Sequence, residues 1–437
     1  MKRLIYTIVF LLLGMSLSAQ SVWDGKREAI RKGSGTETDP YLIENAQQFA
    51  WLAYLINYDY SQWTKDKYFL LTTDIDLNGS EDNQWLPIGS GGGVYAGGGV
   101  YDKSMKGVLN GDGHKITGLY IDNNSPISND KSIWYPYTSA ALFSQLDKDA
   151  IIKNLYVEGF VNVDNKNCAG IAGWSGNLIR CIANVDVETN EFGGGLVAQK
   201  PEHIEECANY GDIKADKYSG GITSFSFSSC TIINCYNMGN IYGKEYAGGI
   251  TSGNAKGSIK NCYNVGNVYC SEESGQTGAI VGKCEGSGYM VDNNYYLNTC
   301  IEEPNEYGEA LDINVMRSPE FISMLNKDTN VWIYDSENTN NGFPIFAGIV
   351  TFLDINSLKN ENEEFILFPN PATDYINIKG DVCSYEIFDT NGKCISKMKK
   401  IDIEQKQIDV SQYNPGIYLI RCLTNDKNVI TKVFVVK

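Results

Sequence analysis

The sequence has very little histidine and few charged residues. Only 2 of its 437 residues are histidine and 20% are charged, and no Cys-x-x-Cys pair occurs. The pattern therefore predicts no metal site, no cofactor and no histidine-based catalytic triad. A formal net charge of −17 repels phosphate backbones and anionic lipid, so we expect no nucleic-acid partner.

Long hydrophobic runs are also missing, apart from one at the N-terminus. The run Leu4–Leu13 follows Lys2 and Arg3 and precedes small residues that end at Ala19. This order predicts a signal peptide over 1–19, cleaved after Ala19. The run is too short to span a bilayer comfortably. We therefore expect an exported protein without a stable transmembrane segment.

What the sequence does contain is a repeated phrase built around four cysteines. Cys181, Cys207, Cys235 and Cys262 lie 26, 28 and 27 residues apart, and small-small-aliphatic triplets such as Gly220-Gly221-Ile222 follow them. A fixed period in the twenties marks a solenoid. Short apolar segments punctuated by glycine and asparagine favour an all-β fold, a parallel β-helix, which we expect to be right-handed.

The repeat cysteines are interpreted as core residues rather than as disulfides or metal ligands. Leu155 takes the equivalent position in the preceding copy, and a position that accepts either leucine or cysteine faces the core. Strands about 4.7–4.9 Å apart also hold stacked side chains somewhat far apart for a relaxed disulfide. Asn184, Asn209, Asn237 and Asn264 are predicted to form a second inward ladder, bonded through their amides.

Other patterns flank the repeats. Asn45 and Gln48 form a capping box for a helix over 46–57, and Ser318-Pro319 begins another helix. From 365 onward, about seven short strands separated by turn signals predict an antiparallel β-sandwich. The predicted organisation is a signal peptide 1–19, an N-terminal cap 20–67, a parallel β-helix 68–300, a C-terminal cap 301–350, a linker 351–364 and the sandwich 365–437.

The final module resembles the type A sorting domain of the type IX secretion system. The matching elements are Pro369-Asn-Pro371, Asp389-Thr-Asn-Gly-Lys393, Gly416-Ile-Tyr-Leu-Ile-Arg421 and the terminal Lys432-Val-Phe-Val-Val-Lys437. The resemblance implies that the type IX secretion machinery is a partner through 365–437. It also implies passage through the periplasm to the outer cell surface or the medium, with cleavage in or near 359–364.

The body of the chain resembles surface proteins with GLUG-type repeats, a β-helical family related in shape to pectate-lyase-like folds. The resemblance covers residues 33–346. Its matching segments are Gly35-Thr-Glu-Thr-Asp-Pro-Tyr-Leu-Ile43, Asp74-Ile-Asp-Leu77, Trp85-Leu-Pro-Ile-Gly89, Gly111-Asp-Gly-His114, Asn154-Leu155 and the Gly-Gly-Ile triplets. It implies a fold and a surface location rather than an activity.

Pectate-lyase-like folds include polysaccharide-cleaving enzymes, so carboxylates are the candidates for catalysis. Asp74 and Asp76 share an outward face by strand alternation, whereas Asp112 lies in an Asn-Gly-Asp-Gly turn followed by His114. A glycosidase needs two carboxylates across one site, and a lyase needs a base. The favoured interpretation names no catalytic residue. A polysaccharide lyase or glycoside hydrolase stays as the alternative.

Tyrosines are the stronger candidates for binding. If the cysteines point inward, the residue after each points outward, which predicts that Tyr236 and Tyr263 are exposed. The same alternation predicts exposed Tyr242 and Tyr269. Stacked tyrosines offer flat faces to sugar rings or to a partner protein, although they also pack along their own ladder. We therefore expect a surface protein for adhesion or ligand binding, with a glycan or host protein as ligand. A structural surface protein without a discrete ligand is the other alternative.

Overall fold

The computed structural model describes residues 20–436, with gaps at 59–60, 90–92, 95–99, 102, 126–138, 165, 273–274, 285–288, 337, 348–365, 369–371, 380–381, 390–393, 401–406 and 425–428. The predicted signal peptide 1–19 and linker 351–364 lie outside the described residues. The chain divides into two compact units, Met1–Phe352 and Leu353–Lys437. Across the described ranges, no helix has the length and apolar character needed to cross a membrane.

The first unit consists mainly of short β-strands. In chain order they are β1 Ser21–Val22, β2 Tyr41–Ile43, β3 Tyr68–Leu71, β4 Ile75–Asp76, β5 Gly93–Val94, β6 Val100–Tyr101, β7 Val108–Asn110, β8 Lys115–Ile121, β9 Ser139–Ala140, β10 Ile151–Asn162, β11 Asn167–Ala169, β12 Ala172–Trp174, β13 Asn177–Thr189, β14 Phe192–Gly194, β15 Val197–Gln199, β16 His203–Glu205, β17 Ala208–Asn209, β18 Ile213–Ala215, β19 Tyr218–Gly220, β20 Thr223–Ile233, β21 Tyr236–Asn237, β22 Ile241–Gly243, β23 Tyr246–Gly248, β24 Thr251–Lys260, β25 Tyr263–Asn264, β26 Val268–Cys270, β27 Gln276–Gly278, β28 Val281–Cys284, β29 Tyr289–Asp292, β30 Tyr295–Leu297, β31 Glu309–Leu311, β32 Trp332–Ile333 and β33 Ile345–Phe346.

Strands of successive turns stack in parallel, which confirms the predicted parallel β-helix, and the solenoid has about eight turns. One ladder runs β2–β3–β7–β10–β13–β16–β20–β24–β29, and a second runs β1–β4–β8–β10–β13–β17–β21–β25–β30–β31. A third continues from β13 through β18, β22 and β26. A further parallel sheet has the order β27-β23-β19-β14-β11-β9. From β13 to β27, each turn of chain therefore contributes a strand, or part of a longer strand, to each of these four ladders.

Short helices accompany the strands. The described residues form α1 Ala46–Tyr58, α2 Ile313–Met316, α3 Pro319–Leu325 and a 3-10 helix at Ser61–Thr64. The helix predicted over 46–57 is confirmed. Its Asn45 Oδ1 accepts from the Gln48 backbone N–H at 2.8 Å, and Gln48 Oε1 accepts from the Glu44 backbone N–H. Ser318 caps α3 by accepting from the Phe321 N–H at 3.4 Å, as serine commonly does at this position.

The repeat cysteines lie in the core, as predicted. Cys181, Cys207, Cys235 and Cys262 are fully buried and make no disulfide. Leu155 pairs with Cys181 in the β10–β13 register, which confirms that one core position accepts either side chain. Burial raises the pKa of the first three thiols well above its ordinary value, so they remain protonated and pack as small apolar groups.

Three asparagines form the inward amide ladder. Asn209 Nδ2 donates to Asn237 Oδ1, and Asn237 Nδ2 donates to Asn264 Oδ1, each at 2.8 Å. The prediction that Asn184 begins this ladder is wrong, because Ala183 pairs with Asn209. In the clear copies the asparagine follows its cysteine by two residues, whereas Asn184 follows by three. Strand alternation therefore places Asn184 on a different side.

The glycine pair of each triplet marks a close approach of two backbone segments. A Cβ added at Gly220 would lie 2.0 Å from the carbonyl oxygen of Thr223. A Cβ at Gly221 would lie 2.1 Å from the carbonyl oxygen of Gly249, one turn further on. Only glycine fits at these distances, so the triplet sets a tight corner just before the buried Ile222.

The second unit has seven strands in its described part. They are β34 Ile366–Phe368, β35 Tyr375–Lys379, β36 Val382–Asp389, β37 Cys394–Lys400, β38 Gln407–Asp409, β39 Gly416–Thr424 and β40 Val429–Val436. They form antiparallel sheets of order β34-β35-β38 and β37-β36-β39-β40, as predicted. Ile376 and Ile408 of the first sheet share one apolar cluster with Ile387 and Ile420 of the second. This shared core makes the pair of sheets a sandwich.

Candidate functional site

Tyr236 and Tyr263 are buried, so the prediction that they are exposed is wrong. Both side chains are 0% exposed, and their rings stack 5.0 Å apart with 2° between the planes. The alternation behind the prediction holds, since both follow core cysteines and pack on the other side of the sheet. What covers them is a later segment of the chain. Neither tyrosine is available to a ligand at the surface.

The covering segment, residues 332–336 and 338–346, is here called the strap. The Trp332 ring lies 5.4 Å from the Tyr263 ring, and the Phe346 ring lies 5.1 Å from the Tyr236 ring. The Tyr263 hydroxyl donates to the carbonyl oxygen of Pro344. The strap thus supplies both apolar and polar partners to the tyrosine column.

A buried carboxylate holds the strap in shape. Asp335 is 3% exposed, and its two oxygens accept from the Thr339 N–H and hydroxyl and from the N–H groups of Asn340 and Gly342, at 2.7 to 2.9 Å. Asn340 in turn donates its Nδ2 to the Tyr263 hydroxyl at 2.9 Å. Burial raises the pKa of Tyr263 well above its ordinary value, so this hydroxyl stays protonated.

Tyr242 and Tyr269 are exposed, which confirms the second part of the prediction about the tyrosines. Their exposed fractions are 38% and 48%. The β22–β26 register places them on adjacent turns, where the ring centroids are 5.4 Å apart and the planes differ by 11°. Partial burial and the nearby Asp212 carboxylate raise the pKa of Tyr242, so its hydroxyl remains neutral.

A cavity of about 380 Å³ opens beside this pair and is here called the Tyr242–Tyr269 cleft. Residues 214–216, 242–244 and 269–271 line it, and these segments occupy equivalent positions on three consecutive turns. The regular stacking of the solenoid therefore builds the cleft from one repeated tripeptide position. An aromatic surface with convergent polar groups is the usual composition of a small-molecule site.

The charges around the cleft are paired between turns. Lys214 makes an ion pair with Glu188, and Lys244 makes one with Asp216. The hydrogen bond from Lys214 to Glu188 raises the pKa of this lysine. Each lysine of the cleft therefore carries a carboxylate partner from the preceding turn.

The candidate catalytic carboxylates Asp74 and Asp76 accept hydrogen bonds from nearby groups. Asp74 Oδ1 lies 2.9 Å from His114 Nδ1 and accepts from the Lys115 N–H at 3.0 Å. The His114 hydrogen bond lowers the pKa of Asp74. Asp76 accepts from the Asn78 N–H at 2.7 Å. These contacts give both carboxylates structural partners.

The turn aspartate also has a local explanation. Asp112 adopts a left-handed backbone conformation with φ of 52°, which aspartate tolerates better than most residues. Its N–H donates to Asn110 Oδ1 at 3.0 Å. Within the described ranges, no group of three or more His, Cys, Asp or Glu side chains is arranged to hold a metal ion.

A second cavity, of about 330 Å³, lies near the end of the solenoid. Asp292, Glu306 and Glu309 contribute its carboxylates. Tyr295 also lines it, but this side chain is only 6% exposed and packs edge-on against Phe321, 5.3 Å away. The cavity is acidic and presents no accessible aromatic face, which makes it a weaker candidate than the Tyr242–Tyr269 cleft.

Sequence reasoning missed a polar column that supports these faces. The corner residue before each core position has φ between 52° and 55°: Asn154, Arg180, Glu206, Asn234, Asn261 and Asn293. Asn293 donates to Asn261 at 2.6 Å, and Asn261 donates to Asn234 at 3.2 Å. Arg180 and Glu206 replace two amides of the column by an ion pair of 2.7 Å. The recurrent asparagine before cysteine was the available signal.

The fold and the C-terminal module together define the class of this protein. Residues 366–437 match the family described as a secretion system C-terminal sorting domain. Such a tail directs a protein to type IX secretion. The chain is therefore an exported cell-surface protein whose body is a parallel β-solenoid.

Two known proteins are similar to part of the chain. Halomucin of Haloquadratum walsbyi is 28% identical over 170 residues, which are 39% of this chain and 2% of halomucin. A protein of Evansella cellulosilytica named "Putative Gly-rich membrane protein" is 28% identical over 172 residues, 38% of this chain and 17% of that protein. No solved structure matches the chain. The shared segments are too small a part of either protein to transfer a function.

Proposed function

We propose that this protein is a surface adhesin that binds glycans at the Tyr242–Tyr269 cleft. The observation that carries the proposal is the exposed tyrosine pair, with ring planes 11° apart, beside a cavity of about 380 Å³. Flat aromatic rings beside hydroxyl and ammonium groups suit sugars, which present both apolar C–H faces and hydroxyls. We also propose that residues 1–19 are a signal peptide and that the body of the chain carries GLUG-type repeats.

The location of the pair supports binding rather than packing alone. Tyr236 and Tyr263 show how this chain treats a tyrosine column that serves the fold, because the strap covers both completely. Tyr242 and Tyr269 have no such cover among the described residues and retain exposed fractions of 38% and 48%. Two adjacent exposed aromatic residues on a rigid sheet form a preorganised surface.

A glycan array tests the proposal, with protein purified from the surface or the medium of expressing cells. The wild-type protein should bind a defined subset of glycans, and the Tyr242→Ala/Tyr269→Ala double variant should lose that subset. Tyr334→Ala is the matched control, because Tyr334 is 44% exposed on the strap and lies outside the cleft. It should bind as the wild type does.

Unchanged binding by the double variant would remove the cleft from the proposal. Binding of a host protein at the cleft, with no glycan bound, would replace a sugar by a protein as the ligand. The enzyme alternative has less support, because Asp74 and Asp76 are hydrogen-bonded to local groups and Asp216 is paired with Lys244.

A further inference from the structure

We infer that the Tyr242–Tyr269 cleft takes a neutral saccharide, with one sugar ring stacked on the outer face of Tyr269. The inference rests on the proposed function and names the class of glycan that the same cleft would hold. Two observations carry it: the position of Tyr269 at the end of its ladder, and the pairing of every lysine that lines the cleft.

The ladder order distinguishes the two rings. Lys214 pairs with Tyr242, and Tyr242 pairs with Tyr269 in consecutive parallel strands. Tyr242 is thus flanked on both sides along the solenoid. In the described pairings β26 is the last strand of this ladder, and only one side of Tyr269 faces a ring. The next turn still reaches this strand, because the Val268 N–H donates to the carbonyl oxygen of Cys300 at 2.8 Å. The exposed fraction of 48%, against 38% for Tyr242, makes the Tyr269 ring the more accessible of the two.

The chemistry around that face suits a pyranose. The C–H groups on one side of a pyranose form a flat apolar surface that can lie on an aromatic ring, while its hydroxyls both donate and accept hydrogen bonds. Ser271 and the Tyr242 hydroxyl offer the same dual capacity at the cleft. The raised pKa of Tyr242 keeps its hydroxyl protonated, so it can also donate.

The charges around the cleft argue against an anionic saccharide. Glu188 and Asp216 already neutralise Lys214 and Lys244 across the turns. The nearby Asp212 carboxylate accepts two hydrogen bonds from Asn240, at 2.8 and 3.0 Å. To form an ion pair with either lysine, a uronate or sulfate group would have to displace Glu188 or Asp216. The net charge of −17 also repels polyanions.

Three sets of soluble oligosaccharides provide the test, by titration against the full exported protein: neutral hexose oligomers, uronate oligomers and glucosamine oligomers. We expect neutral oligomers to bind, with an affinity that changes less than about twofold between low and physiological salt. Tyr269→Ala should weaken binding about tenfold or more, whereas Tyr269→Phe should retain most of it because the ring remains. Thermal unfolding of each variant checks that the fold is intact.

A charge variant tests the second observation directly. Glu188→Gln/Asp216→Asn leaves Lys214 and Lys244 without their carboxylates, and it should raise the affinity for uronate oligomers at least about fivefold at low salt. Failure of the double variant to gain uronate binding would contradict the charge argument.

The outcomes separate this inference from the proposed function. Preferred, salt-sensitive binding of uronate or glucosamine oligomers by the wild type would overturn neutrality and leave a glycan-binding cleft. If binding of neutral oligomers survives Tyr269→Ala but is lost in Tyr242→Ala, the sugar ring does not stack on Tyr269, and only that part of the inference is overturned. No binding of any oligosaccharide would overturn both the inference and the proposed function.

Discussion

Asn237 donates its side-chain Nδ2 to Oδ1 of Asn264, 2.8 Å away, in the interior of the solenoid. Both residues are fully buried. A buried polar group that loses its partner costs about 1–3 kcal/mol, so the ladder is strongly tied to one alignment of the turns. A shift of one residue would leave these amides unpaired, as in any register slip of a half-buried strand.

Replacing Asn237 by leucine should therefore destabilise the solenoid. The Asn209 amide and the Asn264 carbonyl would each lose a hydrogen bond. Asn237 already packs tightly on Gly221, because a Cβ added to that glycine would lie 2.5 Å from Asn237 Cγ. The larger leucine side chain would therefore crowd Gly221. We expect the free energy of unfolding to fall by about 3 kcal/mol or more, measured by chemical denaturation.

A matched control lies on the exposed side of a neighbouring turn. Asn267 is exposed and donates its Nδ2 to Asn240 Oδ1 at 2.9 Å. Because water can replace this bond, Asn267→Ala should change stability by less than about 0.5 kcal/mol. Equal losses for the two variants would contradict a special role for the buried ladder.

The repeat period made most of the fold predictable. Cysteine at a constant interval, with Leu155 in an equivalent position, identified the core face, and β10–β13 pairing bears this out. The seven strands of the second unit were also visible, because each is a short apolar run between turn residues. Both features are visible in the sequence because strand patterns are local and because each turn of a solenoid contacts only the equivalent segments of its neighbouring turns.

The candidate site was only half predictable, because burial depends on contacts that are remote in sequence. Alternation gives the same outward side for Tyr236, Tyr242, Tyr263 and Tyr269. The contact from Tyr263 to Pro344 spans 81 residues, and no periodic pattern encodes it. The strap packs on the buried pair, and the exposed pair lies on a different ladder. A repeat predicts its own stacking, but not the segment that later packs on it.

The repeat thiols should be unreactive in the folded protein. Burial raises the pKa of Cys181, Cys207 and Cys235 well above its ordinary value, and alkylation requires the thiolate. Iodoacetamide at about pH 8 should leave these residues unmodified, as read by mass spectrometry of peptides, until denaturant is added. Cys270, which is half-buried, should be modified first among the repeat-region cysteines described.

Two results would count against this view of the thiols. Rapid labelling of Cys207 or Cys235 in the native protein would mean that the ladder is accessible. A disulfide between neighbouring repeat cysteines, detected by non-reducing peptide mapping, would mean that the turns approach more closely there than the free thiols indicate.

Asp335→Asn should loosen the strap. The new amide group would place N–H donors against backbone donors that now point at a carboxylate, since Asp335 accepts four hydrogen bonds. We expect a loss of about 2 kcal/mol in the free energy of unfolding and faster limited proteolysis within 332–346. Asp328→Asn is the control, because its exposed ion pair with Lys260 contributes little. Identical cleavage of both variants would contradict an anchoring role for Asp335.

Deletion of the C-terminal sandwich should block delivery without affecting the solenoid. Residues 366–437 match a sorting domain, and this unit has its own apolar core. A chain that ends before 365 should accumulate in the periplasm, as measured by fractionation and by surface protease accessibility. Its control is a full-length chain with the Tyr242→Ala/Tyr269→Ala substitutions, which should reach the surface normally. Normal display of the shortened chain would show that the tail is not needed for export.

The Asp74–His114 contact should give a pH-dependent contribution to stability. The hydrogen bond from His114 lowers the pKa of Asp74 below its ordinary value of 3.8. A carboxyl group whose pKa is lowered by folding stabilises the protein above its unfolded-state pKa, and this contribution is lost as the pH falls through the folded-state pKa.

Asp74→Asn should accordingly cost about 1 kcal/mol near pH 7, a modest value because the side chain is 37% exposed. The difference from the wild type should shrink as the pH falls through the lowered pKa of Asp74, because the wild-type carboxyl group becomes protonated there. Denaturation near neutral pH and in increasingly acidic buffer measures it, with the exposed Asp112→Asn as a control expected to change stability by less than about 0.5 kcal/mol. A cost that persists undiminished in acid would mean that Asp74 acts through its shape and not through its charge.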